Sequence, residues 1–202
     1  KESGCLKSFL RFVNGRRCSA MLLDGKHNDQ TIWEDYSCFR NDPYKNVFSW
    51  PQRHSIQGLG DLWKEFSMLW EREKDFLSTA IHWYLEANSN SGFLEGSIIM
   101  IQTALELIYN WLLVEQKGII LGKDASNISA SNKIRILLAH LDVGPSITPD
   151  YFKELNEFIN SQNDLNDGVD ALVQIRNAII HSQEDKRRKL NSLSNKLRYE
   201  VQ

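Results

Sequence analysis

Residues 93 to 115 read FLEGSIIMIQTALELIYNWLLVE, and they are apolar on nearly every side: Ile98, Ile99, Met100, Ile101, Leu105, Leu107, Ile108, Trp111 and Leu112 leave no continuous polar face. A helix that met water along one side would carry a polar stripe there, so this one is expected to be the central helix of a bundle. Upstream, beyond the break at Asn88 to Gly92, Leu62, Phe66, Leu69, Trp70, Phe76, Leu77, Ala80, Ile81 and Tyr84 recur at three- and four-residue steps. That period predicts one long amphipathic helix from Asp61 onward. Downstream, Gly118 and the stretch Gly122 to Ser131 end the central helix, and a shorter helix is expected from about Ser131 to Leu141. Thr148 and Pro149 form a start signal for the next, whose apolar face is Tyr151, Phe152, Leu155, Phe158 and Ile159. After the polar run Asn163 to Asp167 comes a further helix bearing Val169, Leu172, Val173, Ile175, Ile179 and Ile180, and a charged segment continues through Leu190, Leu193 and Leu197.

The fold class expected is therefore all-α: a bundle of about five or six helices with short connections over residues 58–202. Residues 1–57 are expected to form a small extension, a helix and a β-hairpin. The helix follows from Leu6, Phe9, Leu10 and Val13 and stops at Asn14-Gly15. The hairpin follows from two strand-like pieces, Cys18 to Leu23 and Thr31 to Tyr36, with Asp24-Gly25 as turn chemistry between them. Asp-Pro, Trp-Pro and Gly-Leu-Gly punctuate residues 41 to 60, which is where the boundary between extension and bundle is drawn.

Composition narrows the function classes. With 42% hydrophobic and 25% charged residues in 202, the chain has the make-up of one globular domain with a small appendage. No apolar run is read as long enough to cross a bilayer, so no membrane association is expected. The net charge of −2 provides no global basic field, so any nucleic-acid contact has to be local. Cys5, Cys18 and Cys38 are widely spaced, with no metal-ligand spacing beside them, and fit reduced thiols of a cytoplasmic protein that holds no metal. The sequence offers no phosphate-binding glycine loop, dinucleotide fingerprint or H-E-x-x-H, and no cofactor is expected. It opens at Lys1 without a secretion leader, and is read as a piece of something larger.

The chemistry concentrates in Gln174-Ile175-Arg176-Asn177-Ala178-Ile179-Ile180-His181. At about 100° per residue, and with Arg176 set at zero, Asn177 falls at about 100° and His181 at about 140°, while Leu172, Ile175, Ile179 and Ile180 share an arc from roughly 260° to 60°. Arg176 lies within that apolar arc, where its long stem can follow hydrophobic surface while its guanidinium swings toward the polar stripe. Histidine moves protons near neutral pH, and arginine grips a phosphate through its planar fork. Together they suit RNA cleavage without a metal. A single histidine falls one short of the two proton-transfer groups such a reaction prefers, so a two-fold dimer across this helix is expected to supply the second. Glu106, a carboxylate inside the most apolar helix, needs a partner and is the candidate for positioning Arg176. Lys186, Arg187, Arg188 and Lys189 form a basic run that could contact RNA phosphates, although such a run is more often a solvated helix face. The spacing alone is a weak signal, because Arg135 to His140 repeats it among the apolar residues Ile134, Leu137, Leu138 and Leu141, where it is read as a decoy.

Arg176-Asn177-x-x-x-His181 resembles the R-x4-6-H signature of the HEPN superfamily, including its polar residue directly after the arginine. The order of a central helix with Ala104-Leu105-Glu106-Leu107, a polar interval and the Ile175-Arg176-Asn177 helix is similar to the ApeA-like, abortive-infection group. The resemblance covers about residues 61 to 183. It implies a HEPN-type bundle and a metal-independent endoribonuclease acting on tRNA or mRNA as a homodimer, in the setting of toxins or antiphage defence, with an upstream sensor domain or an antitoxin as its companion. The alternative is a noncatalytic HEPN module for dimerisation or for binding RNA or a nucleotide.

Overall fold

The computed structural model describes residues 2–36, 41–42, 56–89, 93–146, 150, 152–181 and 196–197, and the chain forms two compact units, residues 1–89 and 90–202. Both are built mainly of helices, with one small two-stranded sheet. The boundary drawn near residue 57 thus falls inside the first unit. The change of sequence period there marks the start of a helix that belongs with what precedes it.

In the first unit, α1 (Glu2–Asn14) ends where Gly15 adopts φ +64°, a left-handed conformation that glycine accepts without strain. Its buried face is Cys5, Phe9 and Val13, which join Phe66, Trp70, Ile81 and Leu85 of α2 (Ile56–Ser89) in one core. The expected long helix occurs, but it is kinked. Phe12 lies 6.0 Å from the Phe66 ring and 5.9 Å from the Tyr84 ring, yet on a straight helix those two rings would stand about 27 Å apart. The chain bends at Glu73 (φ −130°, ψ 38°), so both arms of α2 close on α1. The sequence carries a reason: Glu71-Arg72-Glu73-Lys74-Asp75 interrupts the apolar stripe between Trp70 and Phe76.

The hairpin forms, but not where turn chemistry placed it. β1 (Leu23–His27) contains Asp24-Gly25, and the turn to β2 (Gln30–Asp35) is Asn28-Asp29, at φ +49° and +62°. These residue types tolerate the left-handed region, which a tight two-residue hairpin turn requires at both positions. Arg17 anchors the hairpin's base. Its backbone N–H and Nη1 donate to Asp42 at 2.8 and 3.2 Å, and its guanidinium pairs with Glu86 of α2.

The second unit centres on α3 (Phe93–Tyr109), which continues as a π-helical turn over Asn110–Gln116. Ile98 of α3, Ile134 of α5 (Ala130–His140) and Val169, Leu172 and Ile175 of α7 (Gly168–Ile180) form its core. Burying each such aliphatic side chain contributes about 1.5–3 kcal/mol. The short α4 (Gly122–Ala125) occupies part of the stretch read as a plain connection. α6 (Lys153–Ser161) packs on α7 through Leu155, Ile159 and Ala171, with Leu197 closing the same cluster. Thr148 and Pro149, the expected start of α6, lie outside the described residues, as do Cys38, Leu190 and Leu193; Phe152 precedes the helix and is exposed rather than on its apolar face.

Leu94–Gln116 is, by length and composition, apolar enough to cross a membrane, with a mean hydropathy of 1.5, contrary to the expectation that no such run exists. In this structure it packs against α5 and α7 and buries Ser97, Gln102 and Tyr109. The Tyr109 side chain is fully enclosed, its hydroxyl has no hydrogen-bond partner, and burial pushes its pKa up from the ordinary phenol value. A buried hydroxyl without a partner costs stability. Tyr109→Phe is therefore expected to leave the unfolding free energy unchanged or to raise it by up to about 1 kcal/mol, read from urea denaturation; a loss larger than that would show the hydroxyl to be bonded in solution.

Candidate functional site

Two arginines with the same spacing to a histidine meet opposite fates. Arg135, on α5, directs Nε and Nη2 to the carboxylate of Asp167 at 2.7 and 2.8 Å, pairs through Nη2 with Asp170 at 2.7 Å, and donates from Nη1 to Asn132 at 3.2 Å. The hydrogen bonds it donates, to Asp167 first and Asp170 second, raise its pKa further. Asp167 is also the N-cap of α7, accepting the Asp170 backbone N–H at 2.9 Å. Burial alone would push the Asp170 carboxyl up, but hydrogen bonds from Arg135, Asn166 and Ser131 outweigh it and hold the group down at about 2. Arg135 thus clamps α5 to the first turn of α7, with four of its five N–H groups engaged and its charge answered by two carboxylates. Sequence reasoning set Arg135 aside for its apolar neighbours and missed this network; the one legible sign was Asp167 before Gly168, a helix-capping residue at a helix start.

Arg176 is the reverse case. The buried face of α7 is Val169, Ala171, Leu172, Ile175 and Ala178, and Arg176 is half-buried beside it. Its Nη1 donates to Asn177 Oδ1 at 3.1 Å, while its Nε is buried and has no hydrogen-bond partner. No carboxylate pairs with it among the described residues. Glu106, expected to do so, instead accepts a hydrogen bond from Gln102 Nε2 at 2.8 Å on its own helix. A four-residue step on one helix reaches more readily than a step between helices, and Gln102 takes the carboxylate oxygen.

His181 follows the last helical residue. It is the C-cap of α7, at φ −86° and ψ 96°, its backbone N–H still bonded to Asn177 O at 3.0 Å and its side chain exposed. The expected stripe assumed that the helix continued through His181. With helical dihedrals ending at Ile180, the ring direction is set by the cap rather than by a 140° offset. Arg176 and Asn177 are brought together directly; His181 is tied to Asn177 through the backbone. Lys186, Arg187, Arg188 and Lys189 lie outside the described residues. Among the described residues no cluster of metal-ligating side chains occurs. The chemistry on offer is that of an anion site: a guanidinium without a counter-ion among the described residues, an amide oriented by it and an exposed imidazole.

Two family models match the chain, the YopA C-terminal domain over residues 71–202 and the YopA central domain over residues 2–47. The SPbeta prophage-derived uncharacterized protein YopA of Bacillus subtilis (strain 168) is 28% identical over 178 residues, covering 85% of this chain and 38% of that protein. The chain therefore spans well under half the length of this relative. No solved structure matches. By the extent of the C-terminal domain match, the chain belongs to the YopA family.

Two outcomes are expected from the contrast between the arginines. Because folding lowers the Asp170 pKa, its contribution is fully present above about pH 4 and fades as pH falls toward about 2. Arg135→Met should cost about 2 kcal/mol at pH 7, and the difference from wild type should shrink on acidification through that window, measured by denaturant unfolding at each pH. In nitrogen-resolved NMR, millimolar inorganic phosphate should shift the Nε–H signal of Arg176 and leave that of Arg135 in place; equal response of the two would remove the distinction.

Proposed function

We propose that this YopA-family chain is a metal-independent endoribonuclease of HEPN type, working as a symmetric dimer across α7. The observation that carries the reading is the half-buried Arg176 guanidinium that no carboxylate answers among the described residues, next to an exposed histidine. A desolvated charge left uncompensated is costly, and evolution keeps such a group where an external anion completes it. A phosphodiester is the anion whose geometry suits the fork.

In the reaction the 2'-hydroxyl of RNA attacks the adjacent phosphorus, the bond to the 5'-oxygen breaks, and a cyclic phosphate forms. One proton leaves the 2'-oxygen and one arrives at the departing 5'-oxygen. His181 takes one of these roles and its copy across the two-fold takes the other. Arg176 stabilises the charge that builds on the phosphorus oxygens, and Asn177, its oxygen held by Arg176, turns its amide N–H groups outward as donors. Ile180, 40% exposed beside His181, adds apolar surface to the dimer face. The prophage origin in the relative's name fits a role in conflict between phage and host.

The test is incubation of the chain with labelled tRNA and with single-stranded RNA in excess EDTA. Wild type should leave products with a cyclic phosphate or its hydrolysed form and a free 5'-hydroxyl, and His181→Ala and Arg176→Ala, each shown to be folded, should each lose at least about a hundredfold in rate. Binding without cleavage, weakened by Arg176→Ala, would replace the nuclease by a noncatalytic RNA-binding module; 5'-phosphate products or dependence on metal would discard the reading.

A further inference from the structure

The hairpin of the first unit exposes more apolar surface than an isolated pair of strands can sustain. Met21, Leu22, Ile32, Trp33 and Tyr36 are all at least half exposed, Ile32 the most at 70%. Every residue of β1 and β2 is exposed or only half-buried. Two strands on their own are marginally stable in water and need a third partner or a packed face. Leu22 adds a second sign. It sits at φ +54°, a left-handed conformation that costs a leucine energy, with its side chain 65% exposed. Strain of this kind persists where the surroundings enforce it.

We propose that this face is the docking surface for the remainder of a YopA polypeptide, the portion outside the region matched here, which folds over the hairpin as part of one central domain. The inference is independent of the Arg176 reading. The hairpin lies wholly within residues 2–47, the stretch matched by the family's central domain, and 38% coverage leaves most of the relative outside the match. A second copy of this chain is the poorer occupant for two reasons. First, Gly25 faces Trp33 while Lys26 faces Thr31, so Ile32 is an extra residue in β2, and this bulge breaks the continuous edge that strand-to-strand pairing between copies needs. Second, Asp24, Asp29, Glu34 and Asp35 outnumber Lys26 on the hairpin, so apposed copies would bring like charges together. Arg17, which precedes the hairpin, pairs with Glu86 of α2 and with Asp42, which follows it, so the segments flanking the hairpin are tied to that helix.

The experiment compares the 202-residue chain with a polypeptide carrying the same residues together with the remainder of a YopA chain. Ile32→Lys and Met21→Lys are placed in both. The thermal midpoint of the 202-residue chain should stay within about 1 °C, whereas that of the longer polypeptide should fall by roughly 5 °C. Hydroxyl-radical footprinting, read peptide by peptide, should find Met21, Trp33 and Tyr36 reactive in the short chain and protected in the long one. Equal tolerance of the substitutions in both, or equal reactivity of the three residues, overturns the proposal. So does a dimer of the 202-residue chain, seen by light scattering, that Ile32→Lys dissociates, since the second copy would then be the occupant.

Discussion

Arg135 holds the first turn of α7 by both of its oxygen-rich neighbours, and the direction of every later side chain on that helix depends on this hold. A helix slipped by one residue turns by about 100°, which would bring Arg176 into the arc now filled by Ile175. The apolar contacts of Ile98, Ile134, Leu172 and Ile175 favour the observed rotation, but apolar contact is not directional. The clamp supplies direction. Asp167 caps the helix and receives Arg135 at once, so the residue at which α7 begins, the helix it packs against and the face it shows are set by one cluster of charge-assisted hydrogen bonds.

The same accounting of charge separates the two arginines. Along the chain, Arg135 to His140 and Arg176 to His181 are equivalent patterns. The partners that silence Arg135 lie 32 residues away in Asp167 and three further on in Asp170, a distance that local pattern cannot bridge. Among the described residues Arg176 meets Asn177, a neutral amide that orients the guanidinium without neutralising it. A carboxylate at 177 would have given Arg176 an internal counter-ion. The neutral residue leaves its charge to be met from outside, and that difference, rather than the spacing, makes one of the two a candidate site.

What could be read from the sequence was whatever periodicity determines. The apolar helix starting at Phe93, which packs against α5 and α7 though most of its residues are only partly buried, the apolar face of α7, and the stop of α1 at Asn14-Gly15 all follow from patterns confined to a few turns. What could not be read depends on contacts distant in sequence or on small dihedral choices. The bend at Glu73 leaves helix-forming residues on both sides, and only a lapse of the apolar stripe hints at it. The turn at Asn28-Asp29 competed with an equally suitable Asp24-Gly25, and strand register decided between them. The π-helical turn after Tyr109 has no signature in residue type; Lys117 N–H bonded to Leu112 O at 3.0 Å records the wider winding. Glu106 is expected to answer Arg176 because a buried carboxylate needs a partner, but its side chain is only half-buried. The partner is Gln102, one helical turn away.

The position of His181 changes how a dimeric site should be pictured. A histidine in mid-helix would be locked by its rotamers and by the offset from Arg176, and two copies would have to meet at one crossing angle to bring both rings to one phosphate. His181 instead leaves the helical path with an extended ψ while its N–H stays bonded to Asn177 O. Its Cα is fixed and its ring is free to turn, so the demand on the dimer relaxes from a fixed angle to proximity of two helix ends. The cost is entropy, since an exposed imidazole must be ordered when ligand arrives. Arg176 would lower that cost by being ordered already, its Nη1 on Asn177 and its Nε buried. In the proposed site the ordered cation would set where a phosphate sits, and the exposed imidazole would order around it.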